Sequence, residues 1–278
     1  MTRVLVLGGG GSRGAFQAGW LRAQSGVFDA IHGVSVGAIN GARVAQYASA
    51  EPAARQLEMD WLNTSTATVL AQWPVGTLSA LVEGSLYSTE PLAALLRRRL
   101  AERALLHPCV VYAASLATGG LARFPLTGDV ARDVPAILAS AAFPTVMPPV
   151  SIDSDLFYDG GVVRVVPLPE ALGAHVGVDE VDVVLCADPY EPLPLVTPEK
   201  GLRALLRTVE VATHDRARMD LLEARDEWDA MPLRPRVRLW WPREQHCEDP
   251  MNFDPRHTER ALAQGFEDAK RGPQEVWT

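Results

Sequence analysis

Ser35 is the side chain on which chemistry can be built, because the run Ala30-Ile31-His32-Gly33-Val34-Ser35-Val36-Gly37 sets one serine between two glycines after a short apolar stretch. Gly33 to Gly37 satisfies G-x-S-x-G, the nucleophile elbow, in which a strand ends, the backbone turns through a strained residue and a helix begins directly behind it. Small residues at 33 and 37 let strand and helix pass closely, and the helix N-terminus aims backbone N–H groups at negative charge forming near the hydroxyl. A serine held this way attacks carbonyls. Three fixed positions carry little information alone, so the surrounding chain has to support the assignment.

A second feature precedes it. Val4 to Leu7 reads as a strand buried on both faces, Gly8-Gly9-Gly10-Gly11-Ser12-Arg13-Gly14 follows, and a helical pattern runs from Ala15 to about Gln24. Strand, glycine loop and helix form an anion-binding layout, and Gly9, Gly11 and Gly14 also satisfy the dinucleotide fingerprint G-x-G-x-x-G. That fingerprint requires an acidic residue about 20 positions on, at the C-terminal end of the next strand. Asp29 has the spacing but stands at the start of that strand, and Val34-Ser35 occupies its end, which argues against nucleotide binding. The plainest structural reading of glycines 8 to 11 is close strand–helix packing.

The loop GGGGSRG followed by GVSVG resembles the patatin-like phospholipases. A third block, Ala139 to Pro144 through Met147-Pro148-Pro149, and a fourth, Asp159-Gly160-Gly161, occur in that family's order, so the resemblance covers about residues 4–170. It implies an α/β fold of three layers, α/β/α, with a mainly parallel central sheet. It also implies a serine lipolytic acyl hydrolase without cofactor or metal, cleaving fatty-acyl esters of phospholipids or related lipids through an acyl-enzyme on Ser35. Asp159 would be the general base of a Ser-Asp dyad, and the amides around Gly10, Gly11 and Ser12 the oxyanion hole. Arg13 would add positive charge or fix the loop, and Gly33, Gly37, Gly160 and Gly161 would support the turns. Without the other blocks, Asp159-Gly160 is an ordinary surface turn. The chain departs from the family at Arg164-Val165, where two asparagines are frequent, which puts the loop geometry and substrate class in question. Three other readings stay open. A Ser-His-Asp triad would draw on His214, His246 or His257; an acyltransferase would use the same dyad; a non-catalytic lipid- or nucleotide-binding protein would need neither, and the intact Ser35 and Asp159 argue against it.

The elements that must position these residues follow from periodicity. Helices are expected at about Gly37–Ala50, Pro52–Leu62, Glu90–Glu102, Asp133–Ala142, Gly201–Ala224 and His257–Lys270, and strands at Cys109–Leu116, Leu121–Leu126, Ser151–Tyr158, Val181–Cys186 and Arg236–Trp241. Strands alternating with helices predict a mainly parallel sheet covered on both faces. Arg97-Arg98-Arg99 suit the C-terminus of their helix without any ligand. Trp61, Trp73, Leu78 and Leu81 read as core in preference to a lid over an acyl cleft. His32 reads as a satisfied strand residue, and His107 and His175 as loop positions.

With 278 residues, 47% hydrophobic and 22% charged, the chain suits one globular domain, residues 171–278 completing the domain that the motifs begin. A net charge of -8 argues against a nucleic-acid partner. Cys109, Cys186 and Cys247 are widely spaced and read as reduced thiols, which fits a cytoplasmic setting. The N-terminus has no signal-peptide pattern and no run reaches membrane-spanning length, so lipid would be met transiently at a surface. Histidines and cysteines do not cluster at ligand spacing, and Asp153, Asp155 and Asp159 lack the glycine and glutamate of a calcium loop. Nothing in the pattern sets the oligomeric state.

Overall fold

The computed structural model describes residues 1–73, 85–193, 202–244 and 249–278. In chain order its strands are β1 (Arg3–Leu7), β2 (Ala30–Val34), β3 (Ala71–Gln72), β4 (Tyr87–Ser88), β5 (Cys109–Ser115), β6 (Leu121–Pro125), β7 (Val150–Ile152), β8 (Asp155–Asp159), β9 (Glu180–Val184), β10 (Arg236–Trp240) and β11 (Glu275–Trp277). The helices are α1 (Ala15–Leu21), α2 (Val36–Val44), α3 (Ala50–Leu62), α4 (Thr66–Val69), α5 (Glu90–Glu102), α6 (Val130–Ala141), α7 (Leu168–Ala174), α8 (Leu202–Ala230) and α9 (Pro255–Arg271). Nine strands make one sheet in the order β11-β10-β9-β1-β2-β5-β8-β7, with β6 also on β5. Its centre, β10 through β5, is parallel. Both margins are antiparallel, where short turns return the chain.

Alternation along the strands divides the core between the two faces of the sheet. Leu5 and Leu7 of β1 join Phe16, Trp20 and Leu262 on the face covered by α1, α2, α3 and α9. Val4 and Val6 join Leu172, Leu221 and Trp228 on the face covered by α7 and α8. Both faces being buried, Val4 to Leu7 of β1 has no polar alternate, which is why it reads as a continuous apolar run. Residues beyond 171 therefore belong to the same sheet as the motifs: β9 pairs with β1 along its whole length. Among the described residues no helix is long and apolar enough to cross a membrane.

The structure departs from expectation in four places. The elbow helix stops at Val44 and a new helix starts at Ala50, with Pro52 in its first turn, where its missing N–H costs nothing. The helix expected from Asp133 begins three residues earlier because Asp129 caps it, accepting from the Ala131 N–H at 2.9 Å. The stretch 151–158 is a hairpin, β7 and β8, that turns at Asp153 with φ 53°. Finally, α8 continues to Ala230, and the three-residue β11 closes the sheet edge on β10.

Candidate active site

Ser35 follows β2 and caps α2 with φ 57° and ψ −127°, a conformation that costs a residue with a Cβ of the order of 1–3 kcal/mol and persists only where the surroundings impose it. They do. A Cβ on Gly33 would run into the Gly37 carbonyl, and one on Gly37 into the Leu7 carbonyl, so β1, β2 and α2 meet backbone to backbone around the turn. Ser140 of α6, fully buried, accepts the Ser35 N–H at 3.0 Å. The small-residue helix thus lies beside the elbow because its serine is needed there.

Asp159 reaches Ser35 through strand register. Along one edge of β5, Tyr112 pairs with Val34 of β2 and the next residue, Ala113, pairs with Asp159 of β8. The last residue of β8 therefore arrives where β2 gives way to the elbow. The Ser35 hydroxyl lies beside the Asp159 carboxylate, which accepts the Gly161 N–H at 2.8 Å. The Asp159 N–H donates to the Ala142 carbonyl at 2.9 Å. Asp159 is 4% exposed, and burial raises its pKa to about 6 against the opposing pull of the Ser35 hydroxyl and the Gly161 N–H.

The glycine loop crosses above this pair. Gly8 and Gly9 donate to the Val184 and Val165 carbonyls, both at 3.1 Å, and a Cβ on Gly9 would stand 3.2 Å from the Cβ of Ser35. The Ser12 N–H donates to the Pro250 carbonyl at 2.7 Å and the Arg13 N–H to the Gly10 carbonyl at 3.3 Å. Of the three amides expected to form an oxyanion hole, that of Ser12 is thus engaged, as is that of the neighbouring Arg13. No backbone carbonyl of the described residues accepts from Gly10 or Gly11. The Arg13 side chain pairs with Glu210 of α8 at 3.2 Å, which fixes the loop.

Arg164-Val165 has a local explanation. Asp220 of α8, fully buried, accepts the Val165 and Val166 N–H groups at 2.7 and 2.9 Å, and pairs with Arg164 at 2.9 Å and Arg216 at 2.5 Å. A charged clamp therefore holds the loop after Asp-Gly-Gly. The same loop offers the Val165 carbonyl to Gly9, so the clamp also bears on the glycine loop.

Ser35, Asp159 and Gly9 to Gly11 open onto a cavity of about 710 Å³. His214 lines it, but no histidine among the described residues hydrogen-bonds to Ser35 or Asp159. His246 lies outside the described residues, as do Cys247, Leu78 and Leu81. His257 sits in α9. His32 is satisfied, as expected, by the Tyr112 hydroxyl at 2.7 Å and by His175 Nε2 at 2.9 Å. His175 is thus more than a loop position. Cys109 and Cys186 are buried free thiols, and burial raises the pKa of both. Trp61 is buried core that also lines the cavity, and Trp73 donates to the Ser85 carbonyl at 3.1 Å. Arg43, Asp60 and Arg99 line the cavity and were not anticipated.

No curated protein matches the sequence. One solved structure of similar fold is VipD from Legionella pneumophila, with TM-score 0.48, 14% identity and coverage of 97% of this chain. The chain spans 66% of that chain, less than two thirds of it. Residues 5–172, more than half of the chain and the stretch from β1 to α7 that includes Ser35 and Asp159, match the family described as patatin-like phospholipase, and the chain belongs to it.

Proposed function

We propose that the protein is a serine lipolytic acyl hydrolase acting through Ser35 and Asp159. Ser35 Oγ attacks the ester carbonyl carbon and Asp159 takes the hydroxyl proton. The tetrahedral intermediate then collapses, the carbon–oxygen bond to the leaving alcohol breaks, and Asp159 returns the proton to that oxygen. Water attacks the acyl-enzyme in the same way, with Asp159 as base and then as acid to Ser35. The observation that carries the reading is the placement of Ser35, in its elbow, beside a buried aspartate whose pKa burial raises to about 6. An unperturbed carboxylate is a poor base toward an alcohol, and a raised pKa brings it closer to the task. The Gly10 and Gly11 amides are the donors to the oxyanion, whose preorganisation supplies much of the stabilisation.

A Ser-Asp pair is favoured over a triad because no histidine among the described residues hydrogen-bonds to Ser35 or Asp159, whereas the Ser35 hydroxyl lies beside the Asp159 carboxylate. Lipid is met transiently at a surface. The experiment is labelling with a fluorophosphonate followed by mapping of the modified residue. Adduct on Ser35, lost in Asp159→Asn, is expected; adduct elsewhere with Ser35 unmodified overturns the assignment.

A further inference from the structure

The hydrolytic step makes no use of Arg43 and Arg99 on the cavity wall. Helix α2 starts one residue after Ser35 and turns Val36, Ile39, Asn40 and Arg43 onto the cavity, a single helical face. From Ser35 to Arg43 that face extends about 12 Å at 1.5 Å per residue. Leu57 and Trp61 of α3 and Leu92 and Leu95 of α5 make the opposing wall apolar, and then the lining changes to Asp60 and Arg99. The arm leading away from the nucleophile is therefore mainly apolar, its one polar side chain on α2, Asn40, being bonded to Gly14, Gln17 and Trp61, and it is charged at its end.

The two arginines at that end are not equivalent. Arg43 is 4% exposed and fully engaged: Nε donates to Asp60 at 2.9 Å, Nη1 to Gln46 at 2.8 Å and Nη2 to Glu102 at 2.6 Å. Its ion pairs raise its pKa despite burial. Arg99 has only the far side of Asp60, with Nε 3.5 Å from Oδ2 and Nη2 donating to the Asp60 carbonyl at 3.3 Å. Asp60 is already shared among Arg43, Arg99 and Gln56, which donates to Oδ1 at 3.1 Å. Among the described residues nothing accepts from Arg99 Nη1. Burial and the neighbouring Arg43 and Arg98 lower its pKa against the pull of Asp60 and Glu102. A structural pillar would resemble Arg43. Arg99 instead keeps a desolvated, under-compensated guanidinium edge at the end of an apolar arm, the geometry that receives a carboxylate.

We propose that this arm takes an acyl chain of about eight to ten carbons ending in a carboxylate, which Arg99 binds. The length follows from the 12 Å along α2 to Arg43, where Arg99 meets it across Asp60, divided by about 1.25 Å per carbon of an extended chain with ordinary bond lengths and angles. The proposal rests on Ser35 holding the other end of the chain, and it names the substrate class as half-esters of medium-length dicarboxylic acids.

Binding tests it without turnover. Calorimetry on the Ser35→Ala protein should find the monomethyl ester of decanedioate at least about tenfold tighter than methyl decanoate, which lacks the carboxylate, the gain expected of one charge-assisted pair. The preference should disappear in Ser35→Ala/Arg99→Met, return in part in Ser35→Ala/Arg99→Lys, and be absent when the monomethyl ester of butanedioate, which is too short to reach, is compared with methyl butyrate. Should the Met variant not fold, Arg99→Gln replaces it, with circular dichroism as the check. Methyl decanoate binding as tightly as the half-ester, or a preference that survives loss of Arg99, overturns the proposal. Loss of the nucleophile assignment shows separately, as fluorophosphonate adduct on a residue other than Ser35 in the wild-type protein.

Discussion

The site is held from two sides by different forces. Toward β1, β2 and α2 the parts are fixed by exclusion: Gly33, Gly37 and Gly160 each face a backbone carbonyl at a distance no Cβ could occupy, and Ser35 is held in a strained turn as a result. Toward α8 the parts are fixed by charge: Asp220 anchors the loop after Asp159, and Glu210 anchors Arg13. Contacts by exclusion tolerate one residue type at each position, so they appear in the sequence as glycine spacing. Contacts by charge tolerate many arrangements and leave no spacing rule. The first kind should fail abruptly on substitution, and the second in proportion to the interaction removed.

The largest effect belongs to the reacting pair on the first side. Ser35→Ala and Asp159→Asn are each expected to lower kcat by about four orders of magnitude or more, and the double variant by scarcely more than either, because groups that act as a unit do not contribute additively. Single-turnover kinetics on a soluble ester measures this. Independent, multiplying losses would mean that the two side chains do not share a step.

Next comes the charged side. Asp220→Ala removes the acceptor of two backbone amides and leaves Arg164 and Arg216 short of a partner. Breaking a buried pair in this way costs about 3–5 kcal/mol, to be read from urea unfolding. Activity should also fall, since the freed Val165 loop no longer holds Gly9. A variant of wild-type stability would make the clamp incidental. Gly11→Ala tests the opposite mode: at φ 59° and against the Pro250 carbonyl, an added methyl must displace the loop. Loss of an oxyanion donor lowers kcat by about 10²–10³. The contrast between the sides sharpens if Gly11→Ala affects kcat more than stability and Asp220→Ala the reverse.

The difference also explains what could be read in advance. Ser35 was singled out by the glycines at 33 and 37, where geometry restricts the residue type, whereas Asp159 came only with the family resemblance, since Asp159-Gly160 alone reads as an ordinary turn. Asp220 was not legible, since it lies 55 residues from Val165 and looks like any acid in a mixed-charge helix. Arg99 shows a signal passed over: as one of three consecutive arginines it suited a helix C-terminus, yet its phase with Leu92 and Leu95 sets it on the buried face. The parallel centre of the sheet followed from alternating strands and helices, whereas β11 is too short for any periodicity.

A smaller effect separates stability from function at Asp159. Its folded pKa of about 6 lies above the 3.8 of the free side chain, so the fold favours the protonated form. This contribution is fully present below pH 3.8 and is lost as pH rises through about 6, by up to about 3 kcal/mol. Activity runs the other way, requiring the ionised base and falling below about pH 6. Asp159→Asn should therefore melt higher than wild type at pH 8, with the gap closing by pH 4. An equal gap at both pH values would place the raised pKa in doubt.

The smallest expected effect is at His214, and it decides whether the α8 side contributes chemistry as well as support. His214 lines the cavity, the position from which a third catalytic group could act. A triad needs its imidazole between serine and acid, but the Ser35 hydroxyl itself lies beside Asp159, and the described hydrogen bond of that carboxylate is to the Gly161 amide, not to a histidine. Removing the imidazole should then cost only surface contact with substrate. His214→Ala is expected to lower kcat/KM by less than about threefold, within the range of a side chain that makes no essential contact. The pH profile makes the test specific, because an inflection near pH 6 is compatible with either Asp159 or a histidine of ordinary pKa. If Asp159 is the base, the inflection persists unchanged in His214→Ala, and in His246→Ala and His257→Ala. Its disappearance together with a hundredfold loss of kcat in any one of them would move the base from β8 to that histidine, and the charged side of the cavity would be catalytic.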